Sequence, residues 1–360
     1  MDNLAHTLVG AALGRAVAGR RVPAAGWIGA IAANAPDWTE LLIGFRPSRG
    51  NFAYYTTHRG ITHSFLGAAI EIVGIVAVVW SIFVLLRRSR DGSASLVRTC
   101  AVVGVCVLSH LYMDWQGSYG LRPFLPWSGH WYYADWVAIV DPLFWLVPLL
   151  ALAWGAERHW RDLTPIVLVV VFVLFMEFVL RPDDAIGWLK VLSVLLIAIG
   201  AIGWVRHWFG PALRHRAAAF GLLVLAVYAT SQAVASRAAK SAAQRAAIAR
   251  FGPAAQSAAL TRVGTPFQWT LILASPESVA GPGWAISRRL DDSRVHRALT
   301  ESSQGRAFGA FARFLAAEVD SGSAGVTVTL RDARYALPPA TGWGVVSVPL
   351  TAASQPTPTP

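Results

Sequence analysis

The sequence predicts an all-α polytopic membrane bundle of about eight helices, followed by a small, mostly β extramembrane domain. Three observations lead there. Hydrophobic residues make up 55% of the chain and charged residues only 14%, whereas soluble domains carry about a quarter charged residues. Several apolar runs reach the roughly 20 residues that cross a hydrocarbon core of ~30 Å. Near Ser236 the texture changes, and short β-type runs alternate with Gly, Pro and Ser.

In chain order, residues 4–18 and 22–35 are short, rich in Ala and Gly, and joined by Gly19-Arg20-Arg21. They read as a shallow or tightly packed helical hairpin, because small residues let helix backbones approach. Residues 65–86, 97–113, 137–156, 163–180, 186–205 and 217–235 are the clearer spans. Residues 236–251 are Ala-rich with spaced basic side chains and read as an amphipathic helix leaving the membrane. The runs 267–273, 325–330 and 344–350 have strand character. The tail 355–360 has no apolar content to pack and is expected to be disordered. The boundaries are a motif-bearing membrane region over 1–145, further spans over 146–235, a small domain over 236–353 and a tail over 354–360.

Net charge is +11, but the basic residues lie in short clusters between apolar runs. That pattern sets membrane orientation, so nucleic acid is not the expected partner; the lipid bilayer is. Arg15, Arg20 and Arg21, then Arg87, Arg88, Arg90 and Arg98, then Arg206, Arg214 and Arg216 fall on one side if every run crosses. The balanced stretch 157–162 falls there too. That side is expected to be cytoplasmic in a bacterial inner membrane. The opposite loops carry Asp37, Glu40, Asp114, Asp135, Asp183 and Asp184. Arg237, Lys240, Arg245 and Arg250 run against the rule, from which long terminal domains often escape. Cys100 and Cys106 lie six apart in one apolar run, which argues against a disulfide or a thiolate metal site. Asp2 and His6 occupy the place of a basic n-region, so no cleavable signal peptide is expected.

Four polar motifs interrupt the apolar N-terminal half: MDNLAH from Met1, NAPD from Asn34, HRGITHS from His58 and HLYMD from His110. His110 and Asp114 are i and i+4 on a helix and share a face, where they can converge on one ion. Imidazole nitrogen with carboxylate oxygen suits zinc, manganese or iron. Gly60 permits a tight bend that brings His58 and His63 near a helix start, which Thr62 or Ser64 can cap. Alternation of the spans puts His6, Asp37, His63, His110, Asp114, Asp135 and Asp141 at one membrane face. Bland roles compete for some of these positions. Asp2 reads as a helix cap, and His6 alone reads equally as an interfacial histidine. Glu71 and Glu177 lie inside apolar runs, where a carboxylate is functional or paired, and Glu177 reads first as a protonated structural group. The aromatic cluster 127–133 with Trp136 reads as an interfacial belt. His159, His207 and His215 read as solvated or headgroup contacts.

These strings in order, together with YGLRPFLPWS and DWVAIVDPLFW, resemble the YdjM-type family of bacterial membrane-bound metal-dependent hydrolases. Its members are described as LexA-binding and inner-membrane-associated, and the resemblance covers Met1 to about Trp145. The family is distantly similar to zinc-dependent phospholipases C and related nucleases. The resemblance implies His6, Asp37, His58, His63, His110 and Asp114 as ligands of a divalent metal. Zinc is expected, with Mn2+ or Fe2+ as alternatives. It makes Asp135 and Asp141 outer or additional groups, either of which can serve as general base. Arg59 or Arg122 can hold an anionic group such as phosphate. The expected function is hydrolysis of a phosphoester in a lipid or lipid-linked substrate at the extracytoplasmic face. A transporter or ion-binding protein using the same cluster, and a non-catalytic membrane scaffold, are the competing readings.

Overall fold

The computed structural model describes residues 1–18, 22, 24–44, 57–85, 92–156, 160–180, 186–322 and 325–350. Arg20, Arg21, Arg87, Arg88, Arg90, His159, Asp183, Asp184 and the tail 354–360 lie outside the described residues. The chain divides into two compact units. The first comprises Met1–Ile43, Arg59–Ser236 and Thr261–Gln268; the second comprises Gly44–His58, Arg237–Leu260 and Trp269–Pro360.

The first unit is helical. Its elements are α1 (Asn3–Ala18), α2 (Ala25–Gly44), α3 (Phe65–Leu85), α4 (Gly92–Gln116), α5 (Pro142–Trp154), α6 (Trp160–Phe175), α7 (Gly187–Val205) and the start of α8 (Arg214–Phe251). Among the described residues, five helices are long and apolar enough to cross a membrane: Phe65–Leu85, Leu96–Gln116, Leu163–Leu180, Gly187–Val205 and Arg214–Phe251. The Leu163–Leu180 stretch ends in a π-helical turn, Met176–Leu180. α5 is shorter, at 13 residues.

The α1–α2 pair is the tight hairpin that its small residues predict. A Cβ added at Gly14 would lie 2.0 Å from the Ala25 carbonyl oxygen, and one at Gly29 would lie 2.2 Å from that of Gly10. Backbones this close leave no room for a side chain, which is how glycines let membrane helices pack. Asp2 caps α1, its Oδ1 accepting from the Leu4 and Ala5 amides at 3.0 Å each. Ser64 caps α3 by accepting from the Gly67 amide at 3.1 Å. Both cysteines are free.

Two expectations are corrected. α2 does not stop near Ala35 but runs through Pro36 to Gly44, so Asp37 lies inside the helix rather than at its end. Proline removes one hydrogen bond, which packing of the helix against its neighbours can offset. The bend expected at Gly60 is present, and the left-handed backbone beside it belongs to Arg59, with φ of 51°. Residues 236–251 are also no separate helix, since α8 is continuous over 38 residues.

The C-terminal unit has strand content as expected, with more elements than the sequence revealed. Strands β1 (Gln256–Thr261), β2 (Trp269–Ala274), β3 (Ser278–Gly281) and β4 (Trp284–Ser287) form one sheet in that order. Strands β5 (Leu315–Gly322), β6 (Gly325–Asp332) and β7 (Val345–Leu350) form another, antiparallel throughout. Two short helices, α9 (Ser293–Glu301) and α10 (Ser303–Phe311), lie between β4 and β5. Ile272, Val279 and Phe314 are among its buried core residues.

Candidate metal centre

Four helical segments of the first unit bring histidines and carboxylates together. His6 comes from α1, Asp37 and Glu40 from α2, His63 from the turn before α3, and His110 with Asp114 from α4. His6, His63 and His110 are fully buried, and Asp114 is 2% exposed. Groups able to hold a metal ion are His6/Asp37/His110, His63/His110/Asp114 and Asp37/Glu40/His63.

The distances define a centre. His63 Nε2 lies 3.1 Å from His110 Nε2, 3.2 Å from Asp37 Oδ1 and 3.4 Å from Asp114 Oδ2. His110 Nε2 lies 3.7 Å from Asp37 Oδ1 and 3.5 Å from Asp114 Oδ2. Neighbouring ligands around one tetrahedral zinc, with bonds of about 2.0–2.1 Å, stand roughly 3.3–3.4 Å apart. His63, His110 and Asp114 therefore have the spacing of donors arranged around a single ion, with Asp37 beside both histidines.

The hydrogen-bond chemistry agrees. His110 Nδ1 meets the Ala33 carbonyl oxygen at 2.7 Å. A carbonyl only accepts, so Nδ1 carries a proton and Nε2 is the nitrogen turned to the cluster. Two carboxylates and two imidazole Nε2 atoms face one buried space, a setting that suits a cation. For His63, burial works against the charged ring. Its hydrogen bonds to Asp114 and Asp37 and the charge of Glu40 outweigh that, raising its pKa to about 9. The proton there is the cation that a metal ion would replace.

Asp114 divides its two oxygens. Oδ2 faces His63 and His110. Oδ1 meets Arg59 Nη2 at 3.0 Å, His6 Nε2 at 3.3 Å and the Met1 amino nitrogen. Arg59 is 3% exposed. It also donates to the carbonyl oxygens of Asp114 at 3.1 Å and Gly120 at 2.8 Å, and its guanidinium covers the Tyr119 ring. Its fork is thus committed to holding Asp114 and the loop that follows. The His6 ring stacks on His110, with centroids 3.8 Å apart.

Other expected residues stand apart from this cluster. The metal-capable groups among the described residues do not include His58. Asp135 is buried with φ of 53°. The amide of the next residue, Trp136, donates to the Gln116 carbonyl at the end of α4, which ties the Asp135 segment to the helix that carries Asp114. Asp141 caps α5, accepting from the Leu143 amide at 2.9 Å and from the Tyr228 hydroxyl at 2.6 Å. Arg122 lies over the Trp131 ring at 4.6 Å. The carboxylates inside apolar helices meet hydroxyls: Glu71 accepts from Thr39 at 2.6 Å and Glu177 from Ser193 at 2.8 Å. Glu40 is the participant that sequence reading passed over, treating it only as a marker of the acidic side. Its i,i+3 spacing from Asp37 on one helix was the available signal.

The fold and the cluster define an integral membrane protein with a buried His/Asp centre suited to a divalent metal. The YdjM inner membrane protein family model matches residues 1–183, and the chain belongs to that family. No curated protein and no solved structure matches the chain.

Proposed function

We propose that the protein is a membrane-bound metal-dependent hydrolase acting on a phosphoester of a lipid or lipid-linked substrate at the extracytoplasmic face. The observation that carries this reading is the cluster of His63, His110 and Asp114, with the spacing of ligands around one ion and with Asp37 beside both histidines. A divalent ion held there supplies Lewis acidity and acidifies water at neutral pH. The residues supply access, charge and proton transfer. His63 and His110 are sealed, while the Asp37 and Glu40 side chains are 18% and 11% exposed. Substrate and water approach from that edge. Exposed Trp38, Ile61 and Phe65 lie in the same helices and turn, an apolar setting for acyl chains. With Arg59 committed to Asp114, Arg122 is the cation assigned to the phosphoryl group. With both oxygens of Asp141 engaged, Asp135 is the carboxylate assigned to proton transfer.

The experiment is release of phosphate or phosphorylated headgroup from a panel of membrane lipids and lipid-linked phosphates, with and without chelator. Asp114→Asn keeps the size but removes charge from the centre, so a loss of at least about 100-fold is expected with the fold intact. Activity that survives both chelator and Asp114→Asn rules the mechanism out. A metal-loaded protein that turns over nothing in the panel removes this substrate class and favours the transporter reading.

A further inference from the structure

We propose that Glu40 is a positioning residue that fixes the ring state of His63, so that Nε2 rather than Nδ1 faces the ion; this rests on the metal reading above. Glu40 Oε2 lies 3.5 Å from His63 Nδ1, across the ring from the Nε2 that meets Asp37, Asp114 and His110. The same oxygen accepts from the Arg59 backbone amide at 3.3 Å, which anchors the carboxylate. Thr62 Oγ1 also approaches Nδ1, at 3.0 Å. A hydroxyl donates or accepts equally well, so Thr62 alone leaves the ring undecided. Once an ion occupies Nε2, the proton left on the ring sits on Nδ1, where a carboxylate that only accepts faces it.

His110 meets the same requirement through a different group, the Ala33 carbonyl behind its Nδ1. Ala33, Asp37 and Glu40 are i, i+4 and i+7 on α2, one stripe of one helix face. α2 therefore brings a ligand to the centre and also the acceptors behind both metal-facing histidines. Acceptors of this kind, behind the ring, orient metal-binding histidines and raise their basicity, and their loss typically costs about 10–100-fold in metal affinity.

The test uses the full chain purified in detergent and measures Zn2+ and Co2+ affinity by chelator competition, with stoichiometry and the Co2+ absorption spectrum recorded alongside. Glu40→Gln offers an amide NH2 that can donate to Nδ1. It is expected to weaken binding about 10–100-fold at unchanged stoichiometry. Glu40→Asp is expected to recover part of the loss, and Thr62→Val to bind nearly as tightly as wild type. Wild-type affinity in Glu40→Gln overturns the proposal. So does a lower ion count at saturation, which would make Glu40 a ligand. Should Glu40→Gln fail to fold, 15N spectra of histidine-labelled, metal-loaded wild type decide. A protonated Nδ1 and a metal-bound Nε2 on His63 support the proposal, and the reverse assignment overturns it. Wild type that binds no ion overturns the metal reading, and this proposal falls with it.

Discussion

At the scale of single residues, the centre is organised by what each polar atom is permitted to do. Asp114 gives one oxygen to the two histidines and the other to Arg59. The sequence offers Arg59 as a residue to hold substrate phosphate, because a guanidinium suits oxyanions. Its burial, its two hydrogen bonds to the Asp114 and Gly120 carbonyls and its ion pair with Asp114 give it a different task. Removing one partner of a buried ion pair costs about 3–5 kcal/mol, so Arg59→Ala should lower thermal stability strongly in the metal-free protein. Arg59→Lys should restore little, since an ammonium cannot reproduce the fork. Added Zn2+ should reduce the deficit, because the ion neutralises part of the same charge. Thermal unfolding of both variants in detergent, with and without metal, checks this. A deficit of less than about 1 kcal/mol would show that Asp114 does not depend on Arg59.

At the scale of elements, legibility followed the strength of local signals. The i,i+4 spacing of His110 and Asp114 placed both on one helix face, and the helix brings their reactive atoms within 3.5 Å. The Ala/Gly texture of the first two helices foretold close packing, which the Gly14–Ala25 approach bears out. Capping by Asp2 and Ser64 was legible because short oxygen side chains before an apolar run satisfy free amides. Although proline ordinarily marks a boundary, α2 carries Asp37 and Glu40 beyond Pro36. Glu40, read as part of an acidic loop, has no helical face to share with Asp37 until the helix is seen to continue. In the C-terminal unit the short strands β3 and β4, four residues each, have too few positions to show alternation.

At the scale of the whole molecule, the account joins a membrane bundle to a centre at one end of its spans. Arg206, just after α7, and Arg214 and Arg216, in the first turn of α8, mark the side proposed as cytoplasmic, and the loop bearing Trp127 and Trp131 marks the other. Gly129 is exposed with open space around it. In a background lacking Cys100 and Cys106, Gly129→Cys should react with an impermeant thiol reagent in intact cells, and Arg206→Cys only after lysis. The opposite pattern would invert the proposed orientation.

The central claim is that the clustered histidines and carboxylates hold a divalent metal, and elemental analysis of the purified chain tests it most directly. Wild type should retain stoichiometric zinc, manganese or iron through exhaustive dialysis. A folded His110→Ala/Asp114→Ala variant, which removes two of the clustered donors, should retain little. Wild type devoid of metal and unable to take it up, or a variant that holds as much as wild type, would contradict the account.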